Sequence, residues 1–288
     1  MTKIAALVIL YNYDMRCIEN IKSYINSVDI VFAFDNSTKK DMNYELLLLS
    51  MEKVCYIDGK GNQGLSRAIN IVADKAIKMG YRWLITFDQD SLAHHNMIEQ
   101  MREFIDSYPG INHIGLIGPS VNNSLIKFKE VKNSISFQNW IIQSGALHNL
   151  DAFKIIKGYD KNLFIDQVDI EYCIRLTMNG YKIVKLNHAI LYHNTQDDGV
   201  QLINKGNKVL FVNKYSAMRY YYCIRNNLYC ARKYKKINPQ YCAELKRNID
   251  VLIRTLPFEK DKLIKIKAVI SGYIDFRQNK MGRTQRKF

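Results

Sequence analysis

Asp88 and Asp90 close an apolar run, Trp83–Ser91 (WLITFDQDS). Alternate side chains of an extended segment point the same way, so both carboxylates can reach one ligand where the strand leaves its sheet. Two like charges this close repel each other. A Mg²⁺ or Mn²⁺ ion with a diphosphate on its far side would neutralise them. Asp-x-Asp alone equally describes a solvated acidic turn, so its surroundings decide. Further along, Asp166, Asp169 and Glu171 stand before a helix expected at Tyr172–Met178. Carboxylates there act as caps or as a proton acceptor. His193 ends a strand, a position that suits a metal ligand or a packed imidazole. Gly59–Gly64 (GKGNQG) is a literal G-x-G-x-x-G and raises a nicotinamide-dependent dehydrogenase. It follows the third strand rather than the first, and Arg82 stands where a ribose-binding acid belongs, so both features count against that reading.

The elements that must position these groups alternate. Ile4–Tyr11 reads as a strand buried on both faces. Met15–Ser27 has apolar residues at helical spacing, Ile30–Phe34 is a strand ending on Asp35, and residues 41–52 read as a helix. Val54–Ile57 is a third strand, and Leu65–Met79 a helix with Ala68, Ile69, Val72 and Ala76 on one side. Such alternation predicts a mostly parallel sheet covered by helices, with ligands gathered beyond the carboxyl ends of the strands. Tyr11, Asp35, Asp58 and Asp88 all fall at such ends. Strands are expected again at Lys182–Leu186 and Ala189–His193. Gly145, in the apolar stretch Trp140–Leu147, marks a close approach of backbone or ligand.

The chain of 288 residues, 48% hydrophobic with only 4 Pro, can bury a full core. No apolar run approaches the roughly 20 residues needed to cross a bilayer, and Met1–Leu10 lacks the basic start of a signal peptide. A cytoplasmic location is therefore expected. Six scattered cysteines lack metal-site spacing and read as reduced, mostly buried thiols. Of the 42 Lys+Arg, 21 lie from Ile203 onward, but only 5 of the 27 Asp+Glu do, so this segment alone accounts for the formal charge of +15. Such a segment faces polyanions, either nucleic acid or an anionic membrane leaflet.

The series LVILYN, FDNS, GNQGLSRAIN, FDQDS, QSGAL and GYDKNLFIDQVDIEYCIRL, with a later His, resembles the inverting family 2 glycosyltransferases of the GT-A fold. More narrowly it is similar to bacterial rhamnosyltransferases of O-antigen and capsule synthesis. The resemblance spans about Lys3 to His193. It implies a mostly parallel α/β sheet in a catalytic domain over residues 1–202, followed by a basic, Tyr-rich helical extension over 203–288.

It also implies roles. Tyr11 and Asp35 match residues that bind the nucleotide base, and Asn62 and Arg67 match the loop and helix facing the donor, where Arg67 can pair with diphosphate oxygens. Asp90 matches the direct metal ligand, Asp88 the acid nearer the ribose, and His193 a histidine that completes the metal site in some members. Asp169 matches the catalytic base, with Asp166 and Glu171 close enough to compete. The implied reaction is single displacement: Asp169 takes the acceptor's proton while the cation stabilises the departing diphosphate, so no acid is needed. The implied donor is a nucleotide sugar, dTDP-rhamnose favoured and a UDP-sugar second, and the acceptor is a saccharide or lipid-linked oligosaccharide. The loop 193–199 departs from the family by inserting Asp197 and Asp198, which could replace His193 at the metal or belong to a lid. Residues 121–137 read as acceptor-shaping. In the extension, Met218, Tyr221, Tyr222, Leu228 and Tyr229 interleave with Arg219, Arg225, Arg232 and Lys233. This pattern suits docking on the inner membrane face or packing and homodimer contact. The rival reading is a nucleic-acid-binding protein that uses the same helices. No base-reading module accompanies them, so no nucleic-acid partner is expected.

Overall fold

The apolar run at the start forms β1 (Ile4–Leu10). The chain then alternates through α1 (Met15–Lys22), β2 (Ile30–Asp35), α2 (Met42–Leu49), β3 (Val54–Asp58), α3 (Leu65–Lys78) and β4 (Trp83–Asp88). Next come β5 (Ser91–Ala93), α4 (Met97–Ser107), β6 (Ile114–Asn122), β7 (Ile135–Gln138), β8 (Leu147–Asn149), α5 (Leu150–Ile155), α6 (Val168–Met178) and β9 (Lys182–His193). The last elements are β10 (Val200–Lys205), β11 (Lys208–Asn213), α7 (Ala217–Tyr234), α8 (Pro239–Thr255) and α9 (Lys262–Arg277). This is a computed structural model that describes residues 1–122, 134–193, 200–205, 208–213 and 215–288. Asp197, Asp198 and most of the acceptor-shaping stretch lie outside them.

The chain divides into two units, Met1–Asp160 with Val168–Asn194, and Lys161–Gln167 with Thr195–Phe288. The first contains a nine-stranded sheet ordered β3-β2-β1-β4-β8-β6-β9-β5, with β7 also on β9. Its parallel ladders, β1–β2, β1–β4, β2–β3 and β6–β9, are the long ones, and the antiparallel ladders are short. Register sets the site: Leu10 pairs with Asp35 and Ile9 with Asp88, so the ends of β1, β2 and β4 reach one edge. Helices start where short polar side chains accept backbone N–H groups: Asp14 from Arg16, Asp41 from Asn43, and Asn149 from Asp151 and Ala152. On α3 the residues Ala68, Ile69, Val72, Ala73 and Ala76 are buried, the 3.6-residue stripe expected of a helix that covers a sheet. All six cysteines are free, five of them buried.

Three expectations change. The first helix stops at Lys22, and a short 3₁₀ turn covers Ile25–Ser27. The helix expected from Tyr172 starts at Val168, so Asp169 and Glu171 occupy its first turn rather than precede it. The two late strands are one, β9, whose register against β6 jumps from Pro119↔Leu186 to Ser120↔Ile190. The residues skipped there form a bulge, held by Ser120 Oγ donating to the Asn187 carbonyl (3.1 Å) and Asn187 N donating to the Ser134 carbonyl (3.0 Å).

In the second unit α7 packs on α8 and α9, and Tyr220, Tyr221, Tyr222 and Tyr234 are buried there. They pack inside their own unit and are not available to a lipid surface. Gly272 of α9 permits this packing, because a Cβ on it would lie 2.7 Å from the Tyr221 carbonyl. The face α9 turns inward is polar or small, with Lys265, Ala268, Ser271, Gly272 and Asp275 buried. Lys265 ion-pairs with Glu259, and Asp275 with Arg286. The outward face carries Leu263, Ile266, Ile270 and Tyr273. Among the described residues no helix is long and apolar enough to cross a membrane.

Candidate active site

Asp88 is the last residue of β4, and Asp90 directly precedes β5. β5 runs antiparallel to β9 with Ser91 opposite His193, and this pairing carries the imidazole to the Asp-x-Asp. One ligand atom from each of Asp88, Asp90 and His193 lies within 4.8 Å of the others. His193 Nδ1 is 3.6 Å from Asp90 Oδ1 and 2.7 Å from Ser91 Oγ, which in turn is 2.7 Å from Ser144 Oγ. Burial first, then the Asp90 charge, pushes the Asp88 carboxyl up to about 7, against a smaller downward pull from the Gln143 amide. Two carboxylates and an imidazole at this spacing, with the charge of Asp88 penalised by burial, are a donor set suited to Mg²⁺ or Mn²⁺. Gln143 Oε1 is buried without a hydrogen-bond partner among the described residues, a further oxygen in the same place.

Gln143 connects this cluster to Asp169. Its side-chain amide donates to Asp88 Oδ1, and its backbone N–H donates to Asp169 Oδ2 (3.2 Å). Ser144 Oγ accepts from the Asp88 backbone N–H (3.0 Å). Gly145 makes the turn possible: its φ is +74°, and a Cβ there would lie 2.7 Å from Pro119 Cγ. Gln143 and Ser144 are 3% and 0% exposed. The sequence reading gave roles to neither. Their signal was a polar pair inside an otherwise apolar run.

Asp169 is partly exposed in the first turn of α6. The two competing acids are engaged by other partners. Glu171 is fully buried against Arg175, which also donates to the Ile156 and Gly158 carbonyls and so anchors α6. Asp166 accepts from Asn227 Nδ2 (3.3 Å) and lies 3.6 Å from Arg219 in the second unit.

The remaining candidates border the same sheet edge. Tyr11 is 44% exposed, and its N–H donates to Gln89 Oε1 (2.7 Å), a link that ties β1 to the Asp-x-Asp loop. Asp35 is 0% exposed, accepting from Ser37 N (2.8 Å) and Tyr56 OH (2.7 Å). Gly59 N donates to the Asp35 carbonyl at 2.9 Å, an approach that a Cβ at Gly59, 2.6 Å from that oxygen, would prevent. Asn62 Oδ1 accepts from Gly64 N (2.9 Å), and Gln63 N donates to Asn36 Oδ1 (2.8 Å), so the GKGNQG segment is a tied loop opening α3. Arg67 is exposed in the first turn of α3.

A mostly parallel sheet with an Asp-x-Asp at the edge of its central strand is the architecture of a GT-A glycosyltransferase, and solved structures share it. S. aureus TarS 1–349 in complex with UDP-GlcNAc matches with a TM-score of 0.58 at 14% identity, over 96% of this chain and 81% of that one. GalNAc-T7 with UDP, GalNAc and Mn²⁺ matches with a TM-score of 0.56 at 14% identity, over 67% of this chain and 44% of that one. The family model for glycosyl transferase family 2 covers residues 7–162, more than half of the chain, and the chain belongs to that family. A dTDP-rhamnosyl transferase, RfbF of Shigella flexneri, is 26% identical over 259 residues, 81% of each protein.

Proposed function

We propose that this glycosyltransferase is cation-dependent and inverting, and that it moves rhamnose from dTDP-rhamnose onto a saccharide acceptor, lipid-linked, in bacterial surface polysaccharide synthesis. The observation that carries this reading is Gln143, which donates to both Asp88 and Asp169. One residue thus ties the acid of the cation cluster to the base. Asp169, in the first turn of α6, accepts the proton of the attacking hydroxyl. Asp88, Asp90 and His193 would hold Mg²⁺ or Mn²⁺, which supplies charge stabilisation for the leaving diphosphate. Arg67 reaches diphosphate oxygens, and Tyr11 offers an exposed ring to the base. Asp35, fully buried here, would accept from a pyrimidine N–H once Tyr56, which donates to its Oδ2, swings aside. Asn62 supports the loop through Gly64. The RfbF likeness supports dTDP-rhamnose; the TarS complex keeps a UDP-sugar as the second donor.

For membrane attachment the supporting feature is α9 rather than α7. Leu263, Ile266, Ile270 and Tyr273 are 79%, 40%, 54% and 47% exposed along one side, with Lys262 and Lys267 beside them in a strongly basic unit. An apolar stripe flanked by lysines supports our reading that the protein sits peripherally on the inner face of the cell membrane. Vesicles containing anionic lipid should capture the protein, and Ile266→Asp/Ile270→Asp should release it. Capture by RNA with no response to vesicles would favour the nucleic-acid reading.

The decisive assay is transfer from a panel of dTDP- and UDP-sugars to a lipid-linked acceptor extract, with Mn²⁺ or EDTA. Product from dTDP-rhamnose only with metal, lost in Asp169→Asn while donor binding persists, is the expected result. Full turnover by Asp169→Asn, or equal turnover in EDTA, would refute the assignment.

A further inference from the structure

The second unit contains a cavity of about 450 Å³, lined by residues that include Tyr221, Arg225, Asp275, Lys280, Arg283 and Arg286. That size is within the roughly 300–1,000 Å³ of small-ligand pockets. The composition is unbalanced, with four cationic side chains against one carboxylate. The carboxylate is already engaged: Asp275 accepts from Arg286 Nε and Nη2 (2.8 and 2.7 Å) and from Tyr221 OH (2.7 Å). Lys280 and Arg283 are exposed, and no ion pair forms at either among the described residues.

Arg225 is 1% exposed and rigidly held. Its Nε donates to Asn226 Oδ1 (3.1 Å), and its Nη1 donates to Tyr221 OH (3.1 Å) and the Lys280 carbonyl (3.4 Å). Its guanidinium lies 5.2 and 4.9 Å from the Tyr221 and Tyr222 ring centroids. The remaining nitrogen, Nη2, is buried without an acceptor among the described residues. A guanidinium removed from water with an unsatisfied N–H is costly, and two aromatic faces offset only part of that cost. An anion with several acceptor oxygens would satisfy Nη2 and balance Lys280 and Arg283 together. Phosphate matches the planar guanidinium fork and can accept from several donors at once.

We infer that this cavity binds a phosphate-class anion, a phosphomonoester or diphosphate, with Arg225 at its floor and Lys280 and Arg283 at its mouth. None of these residues belongs to the carboxylate cluster of the first unit, so the site stands whether or not that cluster binds a nucleotide sugar.

The test is calorimetric titration of the full chain with inorganic pyrophosphate in EDTA, which keeps divalent ions from bringing the probe to the carboxylates. Saturable binding is expected for the wild type and unchanged for Asp90→Ala. It should weaken at least tenfold in Lys280→Ala/Arg283→Ala, whose truncated side chains are exposed. Arg225→Lys keeps the charge but loses the fork and should also bind more weakly; if that variant fails to fold, the exposed double variant still decides. Flotation with phosphatidate vesicles identifies the source of the phosphate. Capture that pyrophosphate competes away, and that the double variant loses, assigns it to a lipid head group. Pyrophosphate binding without such capture assigns it to a soluble phosphate. Absence of saturable binding, or equal binding by the double variant, would overturn the site.

Discussion

Asp88→Asn separates the cost of the carboxylate cluster from its use. The Asp88 carboxyl is raised from 3.8 to about 7, so the folded protein holds a proton there that the unfolded chain has released. The sign follows from linkage: the folded state binds more protons between these values, so this group's contribution to stability falls as pH rises from about 4 to 7 and stays low above that. A shift of about 3 units corresponds to ~4 kcal/mol at full value. Asp88 stands at a partly solvated edge, and halving for screening leaves ~2 kcal/mol. Asparagine is nearly isosteric, and its Oδ1 still accepts from the Gln143 amide. In EDTA, Asp88→Asn should therefore be more stable than wild type by ~2 kcal/mol at pH 8, with about half of that gain already present at pH 5. His148, pushed down to about 4 by burial, destabilises both proteins alike as pH falls below 6.5, so it cancels in the difference. The assay is urea denaturation of both proteins at pH 5 and pH 8. Adding Mn²⁺ should stabilise only the wild type, by ~2.7 kcal/mol at a hundredfold excess over its dissociation constant. A gain that is the same at both pH values, a loss at pH 8, or equal Mn²⁺ stabilisation of both proteins would refute the idea that Asp88 is held in an electrostatically strained, cation-seeking position.

Other outcomes follow from single contacts. Gly145→Ala forces a side chain into a left-handed turn and against Pro119, and should cost ~2–4 kcal/mol in denaturation while lowering transfer, because Gln143 and Ser144 lose their placement. Arg175→Met leaves Glu171 fully buried without its ion-pair partner and should cost ~3–5 kcal/mol, most of it recovered in Glu171→Met/Arg175→Met. Gln143→Leu removes the amide that draws the Asp88 carboxyl down. The pH at which Mn²⁺ begins to protect the protein in thermal melts should therefore move upward; an unchanged onset would sink that role.

The parts of the site readable from sequence are those carried by local periodicity. Asp88 and Asp90 could be found because a buried strand is an unbroken apolar run and its end is marked by the first charges, and Asp35 was found the same way. Gln143 and Ser144 showed only as a polar pair in an apolar run, since their roles lie in contacts to Asp88 and Ser91, 55 and 53 positions away, that no local pattern records. Asn187 and His188 separate two expected strands because a polar pair interrupts an apolar pattern; in the sheet they belong, with Ala189, to a bulge that lets β9 continue and deliver His193 opposite Ser91. The basic helices left two readings open, docking on a membrane or packing. Tyrosines beside arginines look interfacial when only composition is visible, yet here the arginine goes inside with them, and Arg225 lies against the Tyr221 and Tyr222 rings. On α9, Lys265 and Asp275 are neutralised inward by Glu259 and Arg286, which leaves the isoleucines to the outside. Partners supplied by the turn before α9 and by the tail after it, and not the residue's own polarity, decide which face of this helix is buried. That choice appears only once the chain has folded.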